Sequence, residues 1–151
     1  MIKIIDGNLF DSKANIICHQ CNCQGVMGSG VAAEVKRRYP EVYTTYRHVY
    51  ETFGLNLGEA LIVETTNGEY IGNLLGQEKY GYDGKQYTHY DKLQDCFNNV
   101  KNFMQEYEFK TVAFPWLMSC HRGGGDWNIV YKMIEDTFKD FDVEIWRLDK
   151  G

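Results

Sequence analysis

Proline is nearly absent from this 151-residue chain, which holds only Pro40 and Pro115. That scarcity excludes a proline-rich linker and leaves no composition break at which to divide the chain. No apolar run reaches the roughly 18 residues a membrane helix needs. The start, Met1-Ile2-Lys3-Ile4-Ile5-Asp6, turns polar too soon for a signal peptide and reads as a first strand. Positive charge is short as well. Lys and Arg number 16 against 21 Asp and Glu, a formal net charge of −5, so the basic footprint of a protein that grips a nucleic-acid backbone is missing. The five cysteines include Cys18, Cys21 and Cys23, but no second Cys-x2-Cys knuckle accompanies them. With an odd count and no export signal, they are expected to be free thiols in a reducing compartment. The expectation is a cytoplasmic monomer, one domain over residues 1–151, with no membrane, sequence-specific nucleic-acid, metal or cofactor partner.

Hydrophobic residues at 44% and charged residues at 25% are ordinary for a globular protein. The periodicity alternates between strand and helix. Ile2, Ile4 and Ile5 predict a strand ending at Asp6-Gly7, and Ile16–His19 a second, buried one. Val31, Ala32, Val35 and Tyr39 recur with helical spacing up to Pro40, which ends that helix or opens the next. Val42, Tyr46, Val49, Tyr50 and Phe53 continue in helical register to Gly54. Ala60–Glu64 and Tyr70–Leu75 flank Asn67-Gly68, a hairpin signal. Gln77–Gln86 reads as a loop. Tyr90, Leu93, Phe97, Val100, Met104 and Tyr107 make an amphipathic helix. Thr111–Phe114 is a strand closed by Pro115, Trp127, Val130, Ile134 and Phe138 a last helix, and Val143, Ile145 and Leu148 a final strand. Helices between strands can cover both faces of a central mixed sheet, which predicts a three-layer α/β/α fold. In such sheets ligands sit where loops leave the carboxyl ends of strands.

Two of those loops are rich in glycine. His19-Gln20-Cys21-Asn22-Cys23-Gln24-Gly25-Val26-Met27-Gly28-Ser29-Gly30-Val31-Ala32 runs from a strand into a helix. Glycines let the backbone approach an anion, and the helix start offers unpaired N–H groups and a positive dipole end. Together they form a candidate phosphate or diphosphate cradle. Ser119-Cys120-His121-Arg122-Gly123-Gly124-Gly125-Asp126-Trp127 is a second such segment. Two cradles on one sheet suit a ligand with two phosphates and a sugar at each end.

The first segment resembles the Asn-x-x-Gly-x-x-Gly-x-Gly-apolar-Ala signature of macrodomains. It is most similar to the branch of the yeast-type ADP-ribose 1''-phosphate phosphatase and its phage and bacterial relatives. Asp6-Gly7-Asn8-Leu9-Phe10, Gly123–Trp127 and the final strand Val143–Leu148 extend the resemblance over the whole chain. It implies that Asn8 and Leu9 lie at the adenine end, Asn8 standing where most members carry an Asp. It implies that Asn22 lies against the distal ribose, that Gln20 contacts the ligand, and that Gly28, Ser29, Gly30 and Val31 lie at the diphosphate. It implies that Ser119, Cys120, His121, Arg122, Gly123 and Gly124 line the second loop. There Leu117, Ser119 and His121 replace glycines, which predicts a less close backbone approach. One hydrolytic branch uses a Lys nucleophile with an Asp. Here Gln77 or Glu78 falls near the Lys position and Gly123 at the Asp position, so that covalent route is not expected.

Two side chains are candidates for catalysis. His19 could serve as general acid or base with a near-neutral pKa, or be a hydrogen-bonded wall residue. Asp126 could position water or protonate a leaving oxygen, or simply cap the last helix. His121 and Arg122 could meet a terminal phosphate, or be exposed loop residues. Cys120 beside Arg122 is a conceivable nucleophile. Trp127, Tyr90 and the tyrosines from Tyr39 to Tyr50 read as packing. The resemblance implies hydrolysis of a distal-ribose substituent, first of all the phosphate of ADP-ribose 1''-phosphate. The alternatives are a non-catalytic ADP-ribose-binding module, an O-acyl-ADP-ribose deacylase and a de-ADP-ribosylating hydrolase.

Overall fold

The computed structural model describes residues 1–28, 30–78, 88–119 and 124–148. Its strands are β1 (Ile2–Asp6), β2 (Ile16–Cys21), β3 (Ala60–Glu64), β4 (Tyr70–Leu75), β5 (Thr111–Pro115) and β6 (Asp142–Arg147). Its helices are α1 (Gly30–Arg38), α2 (Pro40–Phe53), α3 (Tyr90–Glu106) and α4 (Trp127–Thr137). The strands form one sheet in the order β1-β6-β5-β2-β4-β3. Only β3 runs antiparallel, against β4, so the other five strands end at the same edge.

Strand alternation sorts side chains onto two faces. Ile16 and Cys18 of β2, Leu74 of β4 and Val112 and Phe114 of β5 pack with Leu93, Phe97, Val100 and Met104 of α3 and Val130 and Ile134 of α4. Ile17, Cys21, Ile71, Leu75 and Ala113 point the other way, against Val35 of α1 and Val42 and Tyr46 of α2. Two helices on each face complete the three-layer α/β/α architecture. Each helix has a local reason for its bounds. Pro40 opens α2 where its missing N–H costs nothing, and Gly54 closes it in left-handed backbone with its N–H on Tyr50 O. Asp126 caps α4 by accepting from Asn128 N.

The structure adjusts some expected ends. β6 stops at Arg147, and Leu148 is exposed. Phe138 is the residue that closes α4, still buried in the core. The hairpin turn is longer than a two-residue Asn-Gly loop. Thr65 Oγ1 accepts from Asn67 N and Glu69 N, and Gly68 takes φ +90°. A 3-10 turn at Leu9–Asp11, capped by Asn8, was not foreseen. Of the loop read over Gln77–Gln86, Gln77 forms an isolated bridge with Thr88, and 79–87 lie outside the described residues.

Phe97 sits fully buried against Phe114 and Phe138, with ring centroids 5.6 and 5.9 Å away. Phe97→Ala removes the ring that joins α3 to β5 and α4. It is expected to cost about 3–5 kcal/mol in a urea titration; a loss under about 1 kcal/mol would show that this face is not close-packed.

Candidate functional site

The connections from β2 and β5 diverge. From β2 the chain turns through α1 and α2 to the β3–β4 side; from β5 it passes through α4, on the opposite face, to β6. The β2–β5 joint is therefore the topological switch point, where open α/β sheets place ligands. This joint is short. β2 pairs with β4 along its full length, Ile16 to Cys21, but with β5 only at Ile16–Val112 and Ile17–Ala113. Beyond those pairs the ladder stops, and the two loops leave from opposite sides of the resulting gap.

The first loop is shaped by Asn22. Its Oδ1 accepts from Gln24 N at 2.9 Å and from Tyr46 OH at 3.0 Å, and its Nδ2 donates to Val26 O at 2.9 Å. The tyrosine hydroxyl also reaches Asn22 O at 2.7 Å, tying the loop to α2. Gly25 has φ +74°, and a β-carbon there would stand 2.7 Å from the Tyr50 ring. Gly30 opens α1 with φ +61°, and a β-carbon there would meet nothing within 4 Å. Open space thus faces the start of a nine-residue helix, with Gly28 exposed and Val31 half-buried beside it. Ser29 lies outside the described residues.

The second loop keeps glycine-type backbone without glycines. Leu117 has φ +62° and Ser119 φ +72°, each costing about 1–2 kcal/mol for an L-residue. These are two of the three positions where the resemblance implies glycine, and both take left-handed backbone. A ring of hydrogen bonds surrounds it. Ser119 Oγ donates to Gln20 Oε1 at 2.6 Å, Gln20 Nε2 donates to Thr88 Oγ1 at 2.9 Å, and Thr88 Oγ1 donates to Ser119 O at 3.1 Å. Gln20 Nε2 also donates to Gln77 Oε1 at 2.6 Å, and Ser119 O accepts from Gly125 N at 2.8 Å. Gly76 makes room for this ring, since a β-carbon there would stand 2.5 Å from Gln20 Oε1. Gly124, at φ +69°, leads into the Asp126 cap. Cys120, His121, Arg122 and Gly123 lie outside the described residues.

The Macro domain family profile matches residues 18–134, spanning both loops. The chain belongs to the macrodomain family. A DNA ADP-ribosyl glycohydrolase of Thermus aquaticus is 26% identical over 153 residues, covering 97% of this chain and 40% of that protein. An ADP-ribose 1''-phosphate phosphatase of Meyerozyma guilliermondii is 32% identical over 109 residues, covering 67% of this chain and 58% of that protein. The macrodomain of Mycobacterium tuberculosis DarG superposes with a TM-score of 0.85 at 26% identity, covering 97% of each chain. This chain spans about two-fifths of the length of the glycohydrolases it matches.

In this macrodomain the other candidate residues lie at separate places on the fold. Asn8 follows β1, three strands from β2, roughly 14 Å away along the same edge at the usual strand spacing. Its Oδ1 accepts from Phe10 N at 2.9 Å as the cap of the 3-10 turn, and Leu9 is buried behind it. His19 is not at a mouth. It is 2% exposed on the α1/α2 face, with Nε2 2.6 Å from Asn73 Oδ1. Asn73 Nδ2 donates to Leu61 O, which turns Oδ1 toward the imidazole and places the ring proton on Nε2. Burial pushes the His19 pKa down to about 4, against a smaller upward push from Asn73. The expected near-neutral titration is thereby corrected: an imidazolium here would be a desolvated cation. Burial likewise raises the Cys18 and Cys21 thiols, and raises Cys23 to about 11 with help from Glu78 and Glu59. These cysteines are protonated at neutral pH. Among the described residues no three His, Cys, Asp or Glu side chains gather as a metal cluster.

Sequence reasoning missed Thr88, and it met Gln77 only as a loop residue near the position of another branch's Lys. Both are buried polar groups brought to Gln20 by the bridge between them. The signal available was two polar residues flanking a loop at the exit of a buried strand.

The depressed His19 pKa carries a stability consequence. Below its ordinary 6.5 the unfolded chain takes up a proton that the folded chain refuses until about pH 4. His19 thus withdraws about 3 kcal/mol of stability as pH falls through that window, and has no effect above it. Urea titrations should show a smaller loss between pH 7 and 4 for His19→Gln than for the parent; equal losses would remove the buried-imidazole assignment.

Proposed function

We propose that this macrodomain binds ADP-ribose derivatives along the carboxyl edge of its sheet and hydrolyses the phosphate of ADP-ribose 1''-phosphate. The observation that carries the reading is the gap beyond the β2–β5 joint, with open space before Gly30 at the start of α1. Backbone N–H groups and the helix dipole at that start suit a diphosphate, which an acidic chain must hold by local means. Asn8 would meet adenine roughly 14 Å away. Accepting one hydrogen bond from Phe10 N leaves Asn8 Oδ1 a second lone pair for an adenine amino group. The name of the Meyerozyma guilliermondii relative supports the reaction class. Gln77 and Glu78, near the position of the Lys nucleophile in the Lys-dependent hydrolytic branch, offer no amine for that route. In the proposed step water attacks phosphorus, the P–O bond to the ribose breaks, the leaving 1''-oxygen takes a proton from solvent, and ADP-ribose and inorganic phosphate leave. Asp126, exposed beside the second loop, takes the proton of the attacking water. Its cap to Asn128 uses one bond of a carboxylate that can accept several.

A second reading, a binding module without turnover, is favoured by the burial of His19, which removes it as a general base at neutral pH. A side-by-side product assay separates the readings. Phosphate release from ADP-ribose 1''-phosphate supports the first. Tight ADP-ribose binding without release supports the second. Release of ADP-ribose from modified DNA assigns the glycohydrolase reaction instead.

Calorimetry is expected to give micromolar ADP-ribose affinity and much weaker AMP affinity; equal affinities would remove the second loop from the site. Gly30→Val should weaken ADP-ribose at least about 100-fold, because its side chain enters the anion's space, while strain costs only about 1–2 kcal/mol of stability. Asp126→Asn keeps a good helix cap but loses the base, so turnover should fall roughly 10²–10⁴-fold with melting unchanged. Full turnover in Asp126→Asn would move the catalytic role elsewhere.

A further inference from the structure

We infer that Thr88, Gln20 and Ser119 act as positioning residues. Their closed hydrogen-bond ring spans the gap where the β2–β5 ladder stops and holds the second loop on its left-handed path for the distal half of the ligand. The inference rests on the ADP-ribose reading above and reassigns Gln20 and Ser119 from direct ligand contact to support.

The ring bonds run in one sense. Ser119 Oγ–H donates to Gln20 Oε1, and Thr88 Oγ1–H donates to Ser119 O. The Gln20 amide closes the circuit through Nε2, which donates to both Thr88 Oγ1 and Gln77 Oε1; a flipped amide would set its oxygen against Gln77 Oε1. Thr88 and Ser119 are 3% and 8% exposed, so the polar groups are bonded in a place where leaving one unpaired is costly. The ring joins three chain segments: the end of β2, the residues before α3, and the loop after β5. Backbone hydrogen bonds do none of this joining between β2 and β5, because their pairing ends at Ile17–Ala113. Through Ser119 O the ring also fixes Gly125 N, one residue before the Asp126 cap. It therefore sets the position of the segment that carries the proposed base. Glycines would allow the left-handed path at Leu117 and Ser119 but would not enforce it. Here side chains that disfavour that path are held in it by bonds from outside the loop.

Thr88 is the cleanest probe, since its hydroxyl is buried inside the ring. Thr88→Val keeps shape and removes the hydroxyl; Thr88→Ser keeps the hydroxyl. Calorimetry with ADP-ribose and with AMP on the whole chain gives the ratio of the two affinities. Thr88→Val should lower that ratio about tenfold, Thr88→Ser should restore it, and Ser119→Ala combined with Thr88→Val should do no more damage than the worse single change. A merely structural residue would lower melting temperature and leave the ratio alone, so a Thr88→Val protein with the parental ratio overturns the inference, as do additive effects. Exchange of the Gly125 amide with solvent is read in parallel without ligand and should be faster in Thr88→Val. Unchanged exchange also overturns the inference. If the parent itself fails to prefer ADP-ribose, the functional reading fails while amide exchange still decides the ring. If Thr88→Val does not fold, Ser119→Ala is read by the same two measurements.

Discussion

Two residue pairs, Ile16–Val112 and Ile17–Ala113, are the entire backbone pairing between the two halves of the sheet. Everything at the carboxyl edge depends on that economy. Asn15 anchors the joint at its base, where Oδ1 accepts from Lys110 N and Thr111 N and its own N–H donates to Thr111 Oγ1. Above the joint the strands are free to part, and the space between them is where the chain's direction of travel through the layers reverses. A longer ladder would make a more regular sheet and would bind the ends of β2 and β5 together.

The two loops at the gap solve one problem by different chemistry. The first relies on backbone freedom and one amide: Gly25 and Gly30 accept positive φ, and Asn22 closes the turn from within. The second takes left-handed backbone at Leu117 and Ser119 without glycine, and the compensating bonds come from other segments. The cost of left-handed backbone is local, while its compensation depends on tertiary structure. This is a common arrangement where geometry near a site matters more than stability.

Much of the fold was legible. The buried run at Ile16, the helical spacing from Leu93 to Met104, Pro40 before α2 and Asn67-Gly68 between two strands each name an element, and each lies where expected. These signals are local and agree with one another. The glycine segments and their placement between strand and helix were equally plain. What could not be read was side-chain facing at the end of β2. His19 and Gln20 are neighbours in sequence, but period-two alternation sends them to opposite faces: one into the α1/α2 wall against Asn73, the other toward Thr88 and Ser119. Histidine next to a glycine motif suggests chemistry, and only the partner strand shows that it is enclosed. The Gln20 ring was invisible for a related reason, since its members are separated by 68 and 99 residues from Gln20.

The Asn22 turn bears on the thermodynamics of association. Its amide engages Gln24, Val26 and Tyr46 in the protein alone. The conformational entropy of residues 22–26 is therefore lost during folding, at about 1–2 kcal/mol per residue of backbone, and is compensated there by burial against α2. A ligand arriving at this edge meets a turn already immobilised and owes it no ordering penalty. Association at the first loop should accordingly be governed by desolvation and contact enthalpy, with little contribution from the stiffening of the chain.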